Sequence, residues 1–141
     1  MTCTCAQKKL FHSEKGPKAI GPYTPAVKAG GLVFVSGQLG FVPETGLIID
    51  GGIEAETRQA LTNMKIYLEA AGASLEQVTK TTVFLRDIND FLKMNAIYGE
   101  FFHSNPPARS AIQVGALPRG AAVEIEAIAV VGCCCEDCQE E

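Results

Sequence analysis

Residues 106–130 read PPARSAIQVGALPRGAAVEIEAIAV and set an arginine and two carboxylates into a segment otherwise rich in Val, Ile and Ala. Arg109 follows Pro106, Pro107 and a single alanine, so a stiff bend limits where it points. A guanidinium held in that way grips a small carboxylate through two parallel hydrogen bonds. Strand alternation sends Glu124, Glu126, Ile128 and Val130 to one face and Val123, Ile125, Ala127 and Ala129 to the other. A glutamate opposite the arginine would position a water and take its proton. The pair describes a site for hydrating a small electrophile that carries a carboxylate. Each residue also has a plainer reading on its own. Arg109 reads as a surface arginine closing a loop, and the glutamates as a solvated edge or as partners of nearby cations. Glu126 reads as an ion-pair partner rather than a second base.

Other chemistries find less support. His12 and His103 are isolated, without the HxxxH or HxH spacing of a zinc hydrolase. Neither GxGxxG nor GxxxxGK[ST] occurs, which removes the usual nucleotide-phosphate cradles. The G-x-S-x-G frame is absent around Ser36, so Ser36 reads as a strand-end residue. Gly37 beside it would let a ligand come close to the backbone. Tyr23, in the segment IGPY, reads either as a core-edge tyrosine or as a ligand contact.

The elements that must carry these residues follow from local pattern. Gly30-Gly31 predicts a hairpin between residues 26–29 and 32–36, and residues 43–46 predict a second turn. Gly51-Gly52 precedes a long helix whose apolar face is Thr57, Ala60, Leu61, Met64, Leu68 and Ala71. Gly72 stands where a left-handed cap is wanted, and Ser74 to Gln77 predicts a capped turn into a strand over 78–85. The strand at 33–36, the helix and the strand at 78–85 thus predict a β-α-β crossover with parallel strands. Asp90 is expected to cap a second helix with the apolar face Phe91, Met94, Tyr98, Phe101 and Phe102, ended by residues 104–107. Strands over 110–114 and 122–131 close the chain. Both helices are expected on one face of the sheet, leaving the other face to meet copies of the same chain.

The whole-chain quantities fit one soluble domain. The chain has 141 residues, 47% hydrophobic and 20% charged, which suffices for a single core. No apolar run suits a membrane helix, and residues 1–16 lack the apolar centre of a secretory signal, so a cytoplasmic setting is expected. A net charge of −4 argues against nucleic acid as a partner. The cysteines sit only at the ends, as Cys3, Cys5, Cys133, Cys134, Cys135 and Cys138, so the body of the fold needs no disulfide. Cys135 and Cys138 have the spacing of a metal knuckle. Their acidic neighbours Glu136, Asp137, Glu140 and Glu141 point instead to a solvated reactive tail.

Several blocks in register carry a family resemblance: AIGPYTPAV at 19–27, VSGQLG at 35–40, KTTVFLRDINDF at 80–91, MNAIYGEFF at 94–102, and the opening segment. Over residues 8–131 the chain resembles the Rid/YjgF family of reactive-intermediate (enamine/imine) deaminases, also called L-PSP endoribonucleases or translation inhibitors. The flanks, residues 1–7 and 132–141, have no counterpart. The resemblance implies a chorismate-mutase-like α+β fold, a mixed six-stranded sheet with two helices on one face, assembled as a homotrimer with clefts between subunits. It implies hydrolysis of 2-aminoacrylate-type enamines and 2-imino acids to 2-keto acids and ammonia, with no metal or organic cofactor. Arg109 would hold the substrate carboxylate and Glu124 would activate water. Tyr23 would line the cleft, and backbone groups at Gly37 and Ala111 would touch the substrate. Many relatives carry cysteine where this chain has Ala111. Two other readings remain: a non-catalytic, chaperone-like trimer that binds small carboxylates, and a ribonuclease or translation inhibitor.

Overall fold

Gly30 and Gly31 turn the chain through the expected two-residue hairpin, with Ala29 directly opposite Leu32. Gly30 has φ 58°, the left-handed conformation that such a turn requires and a side chain resists. The computed structural model describes residues 7–132, so the expectations placed on the six cysteines and on both flanks lie outside the described residues. The hairpin strands are β2 (Ala26–Ala29) and β3 (Leu32–Gln38). A three-residue β1 (Lys9–Phe11) pairs with β2. Residues 43–46 make the second predicted turn, between β4 (Phe41–Val42) and β5 (Leu47–Ile48).

The long helix α1 (Gly52–Ala70) follows, and Thr57, Ala60, Leu61, Met64 and Leu68 are all buried, as the periodicity predicts. Gly72 has φ 80°, and the Ala73 N–H donates back to Leu68 O at 2.8 Å, which closes the helix. The Ser74 N–H donates to the Gln77 side chain at 3.1 Å across the predicted turn. Next come β6 (Val78–Leu85), α2 (Phe91–Phe101), β7 (Ala108–Gln113) and β8 (Val123–Val130).

The strand order is β1-β2-β3-β8-β6-β7. β3 and β6 do run parallel, but β8 lies between them, antiparallel to both. The predicted crossover is therefore split. The last strand carries four side chains that are fully or almost fully buried (Val123, Ile125, Ala127 and Ala129) and takes the central place. The direct parallel neighbours are β6 and β7, joined through α2.

Two local expectations are corrected. Asp90 does not cap α2. It already has helical angles and makes no side-chain cap, while the Asp87 carboxylate accepts from the Asn89 N–H at 2.9 Å. A short 3-10 turn (Ile88–Asp90) precedes the helix and moves the cap three residues upstream. β7 also starts two residues earlier than predicted, because the extended geometry that prolines favour runs straight into an edge strand. Arg109 thus stands inside β7, opposite Thr81, not on the bend before it.

Both helices cover one face of the sheet, where Val33, Val83, Leu85 and Ile125 meet Leu61, Met64, Leu68, Met94 and Tyr98. Ile97 joins the buried side of α2, and the exposed Arg58–Glu100 pair bridges the helices. The other face is open and exposes apolar side chains among polar ones, with Phe34 40% and Ile112 48% exposed. Among the described residues no helix is long and apolar enough to cross a membrane.

Candidate active site

Glu124 stands on the open face of the sheet, in β8, with Phe84 of β6 beside it. On its other side β3 is irregular. Val35 faces Ala127 and Gln38 faces Ile125, so Ser36 and Gly37 together answer the single residue Glu126. Such a bulge bends the strand and re-aims its side chains. The space this leaves at Gly37 is filled by the glutamate: a Cβ built on Gly37 would lie 2.1 Å from Glu124 Oε1. Only glycine lets the carboxyl group rest against that backbone.

Tyr23 belongs to the same region. The Ser36 hydroxyl donates to Thr24 O at 2.7 Å and the Ser36 N–H to Pro25 O at 2.9 Å, tying the bulge to the loop that carries Tyr23. Tyr23 accepts from the Ile20 N–H at 3.3 Å, and a hollow lined by Lys18, Tyr23, Pro25 and Gly37 opens beside it. The start of β8 is held as well. The Arg86 N–H donates to Ala122 O at 3.0 Å, and the Arg86 guanidinium to Gly120 O at 2.6 Å.

Burial raises the proton affinity of Glu124, and the charge of Glu126 on the same face adds to it. Glu126 is exposed, and the ion pair expected of it is not seen among the described residues. The ionised form of Glu124 is thereby less favoured in the folded chain than in the unfolded one. That cost is absent below the ordinary carboxylate range and is present in full once pH exceeds the raised value. Two results are expected. Carbon-13 titration places the Glu124 carboxyl above an ordinary glutamate, and Glu126→Gln moves it down. Glu124→Gln raises the melting temperature at neutral pH, and that gain vanishes in acid.

Arg109 lies elsewhere. Its partner in the ladder, Thr81, is fully buried on the helix-covered face, and the guanidinium follows it there. The guanidinium carbon sits 4.7 Å from the Tyr98 ring centre and 5.5 Å from that of Phe91, both on α2. The Tyr98 and Thr81 hydroxyls share a hydrogen bond of 2.7 Å, and the Phe102 ring tilts against Tyr98 at 4.8 Å. Burial pushes the Tyr98 phenol up against the opposing pull of Thr81 and Arg109, so it stays protonated. Ala111, two residues on, shares the side of Arg109 and packs against the core. Both belong to β7, the edge strand of the sheet among the described residues.

Sequence reasoning missed Asn95. It lies one turn beyond Phe91 and three residues before Tyr98 on α2, and its buried Oδ1 has no hydrogen-bond partner among the described residues. A lone helical asparagine gives no pattern from which to single it out.

The predicted residues therefore form two separate groups, each a candidate half-site. Gly37 and Glu124 meet on the open face and Tyr23 shares a hollow with Gly37, while Arg109 and Ala111 gather with Phe91 and Tyr98 at the β7 edge. Through Thr81, Arg109 aligns with Ala127, three residues along and two strands across from Glu124. That is a separation on the order of 14 Å, with the sheet between them. Within one chain the arginine and the glutamate do not meet. Among the described residues no three His, Cys, Asp or Glu side chains gather as metal ligands would.

A mixed six-stranded sheet with two helices on one face defines an α+β protein of the YjgF type. The chain belongs to the Rid/YjgF family, and the family model for endoribonuclease L-PSP matches residues 13–131. It is 51% identical over 122 residues to a RutC family protein of Pyrococcus horikoshii, covering 86% of this chain and 97% of that one. It is 48% identical over 125 residues to human 2-iminobutanoate/2-iminopropanoate deaminase, covering 89% and 91%. The crystal structure of E. coli TdcF with bound serine is similar at TM-score 0.83 and 42% identity, covering 86% of this chain and 98% of that one.

Proposed function

We propose that this protein hydrolyses 2-imino acids, and the enamines that tautomerise to them, to 2-keto acids and ammonia. The working form is a cytoplasmic homotrimer in which the Arg109 half of one copy closes on the Glu124 half of the next. The observation that carries this reading is the half-buried Glu124 carboxyl, lodged on the Gly37 backbone with its proton affinity raised. A carboxylate in that state is a stronger base than an exposed one. The deaminase name of the human relative supports the reaction, and the serine bound by TdcF has the carboxylate and α-nitrogen of the proposed substrate. The apolar side chains exposed on the open face, Phe34 and Ile112 among them, support self-association. A ring of identical contacts would unite halves that one chain keeps apart.

The chemistry asks little of the protein, because protonated imines are already electrophilic. Arg109 binds the substrate carboxylate and fixes the imine carbon in place. Tyr23 and the backbone at Gly37 and Ala111 wall the cleft. Glu124 takes a proton from water as its oxygen adds to that carbon, giving a carbinolamine. It then returns the proton to nitrogen. Ammonia leaves with the C–N bonding pair, the hydroxyl proton returns to the carboxylate, and the C–O bond closes to the ketone.

The test couples a pyridoxal-phosphate threonine dehydratase to this protein and follows decay of the released imine to 2-ketobutyrate. Catalytic amounts of the wild-type chain should speed the decay. No acceleration over buffer would sink the proposal. RNA cleavage that survives both Arg109→Ala and Glu124→Gln would come from another protein, since a chain of net charge −4 offers little for a phosphate backbone.

A further inference from the structure

Of the polar residues on the buried side of α1, Glu56, Asn63 and Tyr67 bind distant backbone, unlike Thr57, and the chemistry above does not use them. Steps of seven and four residues place them within about 20° of one line along the helix. Each binds the backbone of a different distant segment. Glu56 Oε1 accepts from the Ala122 N–H at 2.8 Å. The Asn63 amide donates to Leu39 O at 3.0 Å and to Phe41 O at 2.9 Å, and its own oxygen accepts from Gln59 at 2.9 Å. The Tyr67 hydroxyl donates to Pro17 O.

These three segments supply the Glu124 half-site. Ala122 lies two residues before Glu124, Leu39 two residues after Gly37, and Pro17 opens the loop that carries Tyr23. Two glycines bring the segments hard against the helix. A Cβ on Gly40 would stand 2.9 Å from Glu56 Cα, and one on Gly16 would stand 2.6 Å from the Tyr67 ring. Apolar side chains would fill the same volume without the desolvation cost of a carboxylate that is only 6% exposed. Core packing alone therefore does not account for the stripe, whereas precise placement of three backbone segments does.

Resting on the proposed deaminase reading, we propose that Glu56, Asn63 and Tyr67 are positioning residues: a polar stripe on α1 that sets Glu124, the Gly37 bulge and the Tyr23 loop in register. Glu56 governs the base, and Tyr67 governs the loop that lines the cleft. The two should act on different kinetic constants.

The experiment measures imine hydrolysis and its pH profile in Glu56→Met, Glu56→Gln and Tyr67→Phe. Glu56→Met should lower kcat about tenfold or more with KM within about twofold, and shift the acidic limb down as Glu124 loosens into solvent. Glu56→Gln keeps an acceptor oxygen and should restore kcat to within about threefold of wild type. Tyr67→Phe, which loses only a hydroxyl, should raise KM about fivefold with kcat held. A folded Glu56→Met whose melting temperature falls while kcat and pH profile match wild type overturns the proposal. If Glu56→Met does not fold, unchanged kinetics in Tyr67→Phe overturn it and a raised KM upholds it. If wild type itself shows no hydrolysis, the functional reading fails separately. The stripe is then judged by carbon-13 titration of Glu124, where a downward shift in Glu56→Met sustains it and an unmoved midpoint overturns it.

Discussion

Arg109→Ala should lower kcat/KM for 2-iminobutanoate about a hundredfold, equivalent to about 3 kcal/mol of lost charge-assisted hydrogen bonding. The guanidinium rests on the faces of Phe91 and Tyr98, so its stem and plane are already placed and little ordering remains to be done on binding. That placement also explains why Arg109→Lys should recover little. An ammonium keeps the charge but loses the planar fork and the stacking. The fold should tolerate both changes, since the lost contact with the rings costs about 1 kcal/mol at such a site. The coupled imine assay, run beside a thermal melt, checks both halves of this expectation.

The second large effect comes from a single methyl group. Gly37→Ala should lower kcat about as far as Glu124→Gln does, on the order of a hundredfold or more, while the protein stays folded. Gly37 is not among the glycines with positive φ, so alanine meets no backbone strain there. What it meets is the Glu124 carboxyl, 2.1 Å from the new Cβ. The side chain has to swing out of its seat toward solvent. Its raised proton affinity should relax in the same variant, because burial is the larger cause of that shift. Loss of kcat with Glu124 still titrating at its wild-type position would contradict this explanation.

What was legible beforehand divides along physical lines. The Gly30-Gly31 hairpin, the apolar face of α1 and the alternation of β8 were read correctly, because each is a local pattern in which spacing and burial coincide. The insertion of β8 between β3 and β6 had no local signature, since pairing across the chain leaves no period in either strand. β1 was too short for alternation to register. The cap moved from Asp90 to Asp87 because the 3-10 turn between them looks, in sequence, like the first turn of the helix. Glu56 and Asn63 escaped notice for a related reason. A search for apolar periodicity treats polar side chains as the solvent side, and here they line a buried stripe. The residue types at 109 and 124 suggested a chemistry, carboxylate binding and water activation. Their sequence positions could not show that the sheet would come between them, because the face on which Arg109 emerges depends on where β7 begins.

The central claim is that catalysis needs Arg109 from one copy and Glu124 from another. Mixing Arg109→Ala with Glu124→Gln under conditions that exchange subunits tests it most directly, with native mass spectrometry confirming mixed oligomers. In a closed ring of equal parts, about a quarter of the sites would pair an intact arginine with an intact glutamate, so the mixture should regain about a quarter of wild-type activity from two inactive parents. Mixed oligomers as inactive as either parent would contradict the account.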